Sequence, residues 1–404
     1  MRSSLFAFAY DFLDEGVDQV LDNAHELGGM DGVSVTSAYH AGRDLFPHNP
    51  RRRIRFLDPG TVFFHPDLSL YAGTPIQPRV APEFADIDMV RTVVNAAGRR
   101  DLTVGAWTVY FHTDRDRDLI DHAPRNAFND PYLTDICPLA PASQEYARAI
   151  TRDVASTGVS TISAESLHFP PLEHGFHHER FFVQLGPETR YLLSICFCDA
   201  CRGVAQGAGI DGDKVQRAVA QEIDKQIRGG SDEALSLDAV SAMAGGQLGA
   251  YLAAQRSALT TLITELVQIA GDGGAQLNVV DLSGVMKGYA TGAPTGAPAA
   301  EDSWKLGLEL QPIVASGAVI AVPAYVRDQD RLRLELTAYQ AVVGDALSVI
   351  LRPSPPDVDS QTQLAEKIRL VADYPGQQLG FYCYGLVNLD RIGWIGDGLR
   401  GLHG

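Results

Sequence analysis

The sequence has little positive charge, few cysteines and no long hydrophobic run. Lys and Arg number 33 against 50 Asp and Glu, which gives a formal net charge of −17. Nucleic acids and anionic membranes attract clustered Lys and Arg, so this balance argues against both as partners. No stretch of about 18 apolar residues occurs, which argues against a transmembrane helix. Hydrophobic residues make up 45% of the 404 residues, as in a globular protein.

The sequence also shows no clear signal-peptide cleavage site and no glycine-rich dinucleotide-binding motif after its first apolar segment. The first apolar segment, residues 4–10, lacks a clear cleavage site and is followed by the acidic Asp11, so we interpret it as a strand and not as a signal peptide. We therefore expect a cytoplasmic protein. No Gly-x-Gly-x-x-Gly follows this segment, and the acidic turn there would repel a pyrophosphate. We expect no organic cofactor.

Short apolar runs alternate with amphipathic segments along the chain. Continuously apolar runs are typical of strands covered on both faces, and eight occur, at residues 4–10, 32–38, 102–111, 159–164, 275–281, 318–325, 346–352 and 378–384. Helical periodicity lies between them, at residues 16–27, 86–98, 142–157, 247–270, 329–343 and 360–373. This alternation predicts an α/β protein, a (β/α)8 TIM barrel forming a single domain over residues 1–404. An open doubly wound sheet is the alternative.

Three long segments follow predicted strands two, three and four. They cover about residues 39–85, 112–141 and 165–200, and seven prolines in the first prevent a regular helix there. In a barrel, segments that follow strands lie at the C-terminal face, where active sites are built. We therefore expect these loops to surround the site.

Three of the five cysteines lie within six residues, as Cys196-x-Cys198-x-x-Cys201. Zinc takes four soft or borderline ligands in a tetrahedron, and three thiolates on one turn supply most of them. Cys137 or the histidine pair at 177–178 would complete the set. With four cysteines the zinc site would be closed and structural. The alternative is a group of reduced cysteines packed at the start of a helix.

The order of a lone cysteine, a strand-end glutamate and Cys-x-Cys-x-x-Cys resembles the zinc-carrying β-galactosidases among the retaining glycoside hydrolase barrels. The similarity covers about residues 130–205, and the segment 164–180 also resembles uncharacterised bacterial barrels assigned to glycoside hydrolases. The resemblance implies that Glu165, which ends the fourth strand, is the acid/base. Two positions differ from the family: Ala164 stands where it has Asn, and strand seven ends at Arg352 where it has its nucleophilic Glu.

Two carboxylates at predicted strand ends form the candidate catalytic pair. Glu165 ends an apolar strand, where burial raises a carboxyl pKa toward the range that a general acid needs. Its alternative role is an ion pair with Arg352 or Arg180. Asp281 follows the fifth strand and would act as nucleophile or base. Its alternative role is a helix N-cap.

Most predicted strands end in a polar or aromatic residue, and these residues are the candidate substrate contacts. Aromatic faces stack on sugar rings, while polar groups bind the hydroxyls. The candidates are Asp11, His40, Trp107, Tyr110, His112, His168, His174, His177, Tyr325, Arg352 and Tyr384. Alternation along a strand means that about half of the aromatics would instead fill the barrel. The segment 174–179 could also ligate a catalytic metal. Alternatively, its polar side chains could have only a structural role in the loop.

The leading hypothesis is a glycoside hydrolase that acts on a small glycoside, with Glu165 as acid/base. Because strand seven ends without a carboxylate, two alternatives stay open. One is a lyase or isomerase acting on a sugar-like or secondary-metabolite substrate, and the other is a catalytically silent sugar-binding barrel. In each case the partner is a small sugar-type molecule, and the sequence leaves the oligomeric state open.

Overall fold

Eight parallel strands form a closed barrel in the computed structural model, which describes residues 1–174, 179–229 and 236–402. The strands are β1 (Arg2–Ala7), β2 (Gly32–Tyr39), β3 (Thr103–Val109), β4 (Thr161–Glu165), β5 (Gln276–Val280), β6 (Val319–Pro323), β7 (Leu347–Leu351) and β8 (Gln378–Phe381). Each pairs in parallel with the next, and β8 pairs with β1 to close the ring. The predicted (β/α)8 TIM barrel is confirmed.

Helices surround the barrel and shield its strands from water. They are α1 (Ala9–Glu15), α2 (Val17–Asp22), α3 (Met89–Ala97), α4 (Pro141–Ser156), α5 (Pro187–Ser194), α6 (Asp199–Gly207), α7 (Gly212–Gly229), α8 (Leu237–Ala242), α9 (Gln247–Asp272), α10 (Leu310–Ala315), α11 (Gln329–Val343), α12 (Gln361–Ala372) and α13 (Leu389–Arg400). Every residue of β7 is buried, as expected for a strand between a packed interior and a helical layer. Across the described ranges, no helix combines the length and apolarity needed to span a membrane.

Side-chain caps explain where several helices begin. The carboxylates of Asp88 and Asp328 accept the backbone N–H three residues later, at 2.9 and 2.7 Å, at the starts of α3 and α11. Ser360 does the same for α12 at 3.2 Å. Such caps satisfy N–H groups that the first helical turn leaves without partners.

Several predicted strands extend past the observed C-terminal ends, and the first and the eighth do so the most. β1 ends at Ala7 because the next residues form α1, whose first turn is held by a 2.8 Å hydrogen bond from the Phe8 N–H to the Asp11 carboxylate. β8 ends at Phe381, and Tyr384–Leu386 forms a 3-10 turn. Asp11 and Tyr384 therefore do not lie at the ends of strands.

Long loops follow β2, β3 and β4 at the C-terminal face of the barrel. After β2, Gly42–Leu45 pairs antiparallel with Ile54–Leu57, and Thr61–Val62 pairs with the end of β2 itself. After β3, His112 and Asp135 form an antiparallel bridge that folds the loop back on itself. These loops carry His40, His112 and His174, whereas the cavity described next is lined by the strands and by the segments that follow β5, β6, β7 and β8.

Candidate functional site

A cavity of about 200 Å³ lies at the carboxyl ends of the barrel strands. Strands β1, β3, β4, β5, β6 and β7 and the segments that follow β5, β6, β7 and β8 contribute to its wall. The lining residues are Phe6, Trp107, Glu165, Val280, Leu282, Tyr289, Ala290, Pro323, Tyr325, Ile350, Arg352 and Tyr382. Four of the predicted site residues, Glu165, Trp107, Tyr325 and Arg352, thus lie together.

Glu165 is the last residue of β4, and its carboxyl faces the cavity. The indole Nε1 of Trp107, on the neighbouring strand β3, donates a 2.5 Å hydrogen bond to Oε2 of Glu165. Burial raises the pKa of Glu165, and the hydrogen bond and the nearby His112 offset part of this rise. A carboxyl in this state keeps its proton closer to neutral pH, as a general acid must.

Aromatic rings form one wall of the cavity. Tyr289 and Tyr325 stack with centroids 5.1 Å apart and planes 9° apart. Tyr382 meets Trp107 edge to face at 5.4 Å, and it lies 5.8 Å from Tyr325. Rings arranged in this way offer apolar faces to a flat ligand while their hydroxyl groups bind its edge.

Arg352 lies beside this wall, with its guanidinium carbon 4.8 Å from the Tyr325 ring centroid. The guanidinium pairs with both oxygens of Asp357, at 2.8 and 2.9 Å. The ion pair between Glu165 and Arg352, considered from the sequence, is therefore replaced by a pair with Asp357.

Asp281 follows β5 but is not among the residues that line the cavity, so its predicted role as nucleophile or base stays a prediction. It is 1% exposed, and its oxygens accept hydrogen bonds from the Ser283 N–H at 2.9 Å, the Ser303 hydroxyl at 2.5 Å and the Tyr339 hydroxyl at 2.9 Å. Its carboxylate caps the short helix Leu282–Lys287. The N-cap role considered as its alternative describes this geometry.

Three more candidates lie outside the cavity lining. Asp11 is fully buried at the start of α1, and burial raises its pKa well above the usual range. The hydroxyl of Tyr110 bonds to that of Thr151 on α4 at 2.8 Å. The hydroxyl of Tyr384 donates to the Glu15 carboxylate at 2.6 Å. Asp11 thus accepts from the N-cap residue Phe8, while the two tyrosine hydroxyls bond to residues of α4 and α1.

Three predicted histidines lie together at the C-terminal face. Ring centroids are 4.7 Å apart for His40 and His112 and 4.9 Å apart for His112 and His174. Burial opposes protonation of His112, but nearby carboxylates, Asp135 above all, outweigh it and raise its pKa to about 9. Burial, aided by the charge of His112, lowers the pKa of His174 to about 4.

His168 is not part of this group of three rings and has its own hydrogen-bond contact. It is 3% exposed, its Nδ1 lies 2.8 Å from the Phe169 carbonyl oxygen, and burial lowers its pKa. His177 falls outside the described residues, so its predicted contact with substrate stays a prediction.

The four predicted cysteine ligands form one buried cluster. Sγ of Cys137 lies 3.5 Å from those of Cys198 and Cys201 and 3.8 Å from that of Cys196, and all four sulfurs lie within 4.8 Å of one another. These distances are far longer than a disulfide bond of about 2.05 Å. Four sulfurs at about 2.3 Å from a tetrahedral zinc would be about 3.8 Å apart. The cluster therefore fits a metal ion.

The surroundings of the cluster are also suited to thiolate ligands. Backbone N–H groups of Arg125 and Cys198 donate to Sγ of Cys196 at 3.4 and 3.5 Å. The Tyr251 hydroxyl and the Gln255 amide bond to the Cys196 carbonyl at 2.8 and 2.9 Å. The cluster joins the loop after β3 to the loop after β4.

No protein-family model and no curated protein matches this sequence. Solved structures match over almost the whole chain. An α-L-fucosidase from Paenibacillus thiaminolyticus matches at 10% identity and a TM-score of 0.57, over 100% of this chain and 49% of its own. A β-amylase catalytic domain from Paenibacillus polymyxa matches at 11% and 0.52, over 96% and 94%. A β-galactosidase from Marinomonas ef1 matches at 9% and 0.53, over 100% and 60%.

These likenesses concern the fold. The matched structures are TIM barrels of glycoside hydrolases, and at these identities the shared architecture is what the similarity shows. This chain spans about half the length of the fucosidase chain that it matches. Its chemistry has to be argued from its own residues.

Two tyrosines of the cavity lining, Tyr382 and Tyr289, were not among the candidates predicted from the sequence. Tyr382 has the same alternation as the selected Tyr384, but it directly follows β8 and faces the cavity. The alternation of side-chain direction along a strand would have identified Tyr382 if the end of β8 had been known. Tyr289 begins the short 3-10 turn Tyr289–Thr291, and a turn of three residues is too short for a periodic signal to predict the direction of a side chain.

Proposed function

We propose that this chain is a carbohydrate-active enzyme of the glycoside hydrolase type, with Glu165 as acid/base on a small glycoside. One observation carries the proposal: a partly buried glutamate, held by Trp107 at the end of β4, faces a cavity walled by aromatic rings. The barrel shared with solved glycoside hydrolases supports the proposal at the level of the fold only.

The environment of Glu165 suits proton donation to a leaving oxygen. Its raised pKa keeps a larger fraction protonated near neutral pH than an exposed glutamate would have. The Trp107 N–H fixes Oε2, so that the carboxyl presents its other oxygen to a ligand. After cleavage, the same carboxylate would accept a proton from water.

The size of the cavity favours a single sugar ring over a polymer. Its volume of about 200 Å³ is below the range of about 300–1,000 Å³ typical of sites for drug-sized ligands. The faces of Tyr325 and Tyr382 would contact the apolar face of the ring. Arg352 would direct N–H groups to hydroxyl or carboxylate oxygens.

A second function is favoured by the count of carboxylates. Within the described ranges, Glu165 is the one carboxylate of the cavity lining. Hydrolysis by a pair of carboxylates needs a partner about 5–9.5 Å away, whereas a lyase or isomerase needs one base and one acid. A proton-transfer enzyme acting on a sugar-like substrate is therefore the second candidate.

For the cysteine cluster we propose zinc as the ion. Cys137, Cys196, Cys198 and Cys201 would hold it, and four thiolates leave no open coordination position. Bound zinc would supply a cross-link between two loops of the C-terminal face and take no part in the reaction. Reduced, metal-bound thiols suit the cytoplasm, and that location is proposed on this ground.

The test is a screen of the full chain against nitrophenyl α- and β-glycosides, with Glu165→Gln and Glu145→Gln assayed in parallel. Glu145 lies on α4 with a half-exposed side chain, so its substitution is a matched control for the loss of one carboxylate. Hydrolysis predicts release of nitrophenol by the parent and the control, and a loss of about 100-fold or more in Glu165→Gln.

A second assay separates the two functions. Sugars incubated with the protein in deuterated water gain deuterium at carbon if Glu165 removes and returns a proton. Exchange without nitrophenol release favours proton transfer over hydrolysis. Binding of a sugar with neither reaction contradicts both enzymatic proposals and supports the silent sugar-binding barrel.

A further inference from the structure

We infer that His40, His112 and His174 bind a divalent first-row transition-metal ion, with zinc as the reference case. Each residue offers one ring nitrogen, and the three nitrogens lie within 4.8 Å of one another. Nitrogen ligands at about 2.0–2.1 Å from a tetrahedral zinc are about 3.4 Å apart. Small rotations of the rings would therefore bring all three nitrogens to one ion.

The three imidazoles come from three different loops. His40 directly follows β2, His112 follows β3, and His174 belongs to the loop after β4. The strands are neighbours in the barrel, so the fold itself brings these side chains together. Nearness in sequence does not explain the cluster.

Two of the rings are already oriented in the manner of metal ligands. Nδ1 of His112 lies 3.1 Å from Oδ1 of Asp135, whose other oxygen accepts a 2.6 Å hydrogen bond from Thr134. Nδ1 of His40 lies 2.7 Å from the Ala41 carbonyl oxygen. A histidine that donates one N–H to a carboxylate or carbonyl presents its second nitrogen to a metal.

The third ring provides an independent sign of a missing ligand. Nε2 of His174 is buried and has no hydrogen-bond partner in the part of the chain that the structure describes. A buried polar atom without a partner is costly, and a bound ion is one explanation for it. Asp114 adds negative charge, since its Oδ2 lies 3.6 Å from Nε2 of His112.

Three histidine ligands leave one coordination position open. His174 and Asp135 also line a second cavity, of about 270 Å³, through which a water or a substrate oxygen could reach the metal. Imidazole ligands suit zinc, copper, iron and nickel, and they disfavour magnesium and calcium. This site is therefore distinct from the closed thiolate cluster.

The test measures zinc bound per chain after removal of metal and titration with Zn²⁺ alone. The parent is compared with His174→Ala and with His40→Ala, which keeps the test open if one variant fails to fold. His65→Ala removes an exposed imidazole outside the cluster and is the matched control. Cys201→Ser removes one thiolate of the cysteine cluster, so the zinc lost in this variant is the zinc that the thiolates bind.

Each cluster variant is expected to bind one zinc fewer than the parent, while the control keeps the stoichiometry of the parent. Asp135→Asn should weaken the same equivalent by about 10- to 100-fold, as loss of a carboxylate that orients a histidine ligand usually does. Cobalt in the site should lack the intense absorption of thiolate ligands. Unchanged stoichiometry and affinity in both histidine variants would overturn the proposal.

Discussion

Replacing Trp107 with Phe should raise the pKa of Glu165. The indole N–H donates to the carboxylate at 2.5 Å and stabilises its charged form, so removal of the donor favours the protonated form. The direction follows from the geometry alone, since Phe keeps an aromatic ring but has no donor.

The size of the effect follows from the strength of such a bond. A hydrogen bond to a charged group contributes about 1.5–3 kcal/mol. One pKa unit corresponds to about 1.36 kcal/mol, so the expected rise is about 1–2 units. Burial already raises the pKa of Glu165, and the variant should carry its titration further toward neutral pH.

Infrared titration of the carboxyl stretching band measures this pKa directly. The band of Glu165 is identified as the one lost in Glu165→Gln. Trp304→Phe, which removes an indole packed against Tyr191, is the control and should leave the titration unchanged. An unchanged or lowered pKa in Trp107→Phe would refute the reasoning.

Three further predictions concern the cysteine cluster, a buried acid and the aromatic wall. Cys201→Ser should lower the bound zinc by one equivalent and the free energy of unfolding by on the order of 2 kcal/mol or more; unchanged metal content would contradict the cluster site. Burial raises the pKa of Asp11, so the native state favours the protonated carboxyl. Stability is therefore lost as the pH rises above the pKa of about 3.9 that an aspartate has in the unfolded chain. Asp11→Asn should therefore stabilise the protein at pH 8 by about 1–3 kcal/mol in urea unfolding and by little near pH 4; a larger gain at the lower pH would contradict this. Tyr382→Ala should raise the KM for a sugar substrate about 2- to 10-fold while Tyr384→Phe leaves it unchanged; equal effects of the two would show that the wall does not bind the sugar.

The architecture could be predicted because the hydrophobic pattern follows directly from burial on both faces of each strand. The eight predicted runs contain the cores of all eight strands, and the pattern for α11 matches residue by residue. Strand ends were predicted less well. At Asp11 an apolar run continues from strand into helix, and hydrophobicity does not change where the hydrogen bonding does.

The site could be predicted where a residue directly ends or follows a strand, as Glu165 and Arg352 do. It could not where the partner of a side chain comes from far along the chain. The carboxylate of Asp281 binds Ser303 and Tyr339, and no local pattern reveals these contacts. The cysteine cluster was predictable in composition, since three of its members are close in sequence, while its geometry required the fold.

The measurement that tests the central claim most directly is the dependence of kcat/KM on the leaving group, for the parent and Glu165→Gln. Aryl glycosides with increasingly basic phenols need increasing protonation as the bond breaks. If Glu165 supplies that proton, the deficit of the variant should grow steadily with the pKa of the phenol, and nearly vanish for the most acidic one. A deficit that is the same for every phenol would contradict the assignment of Glu165 as the acid.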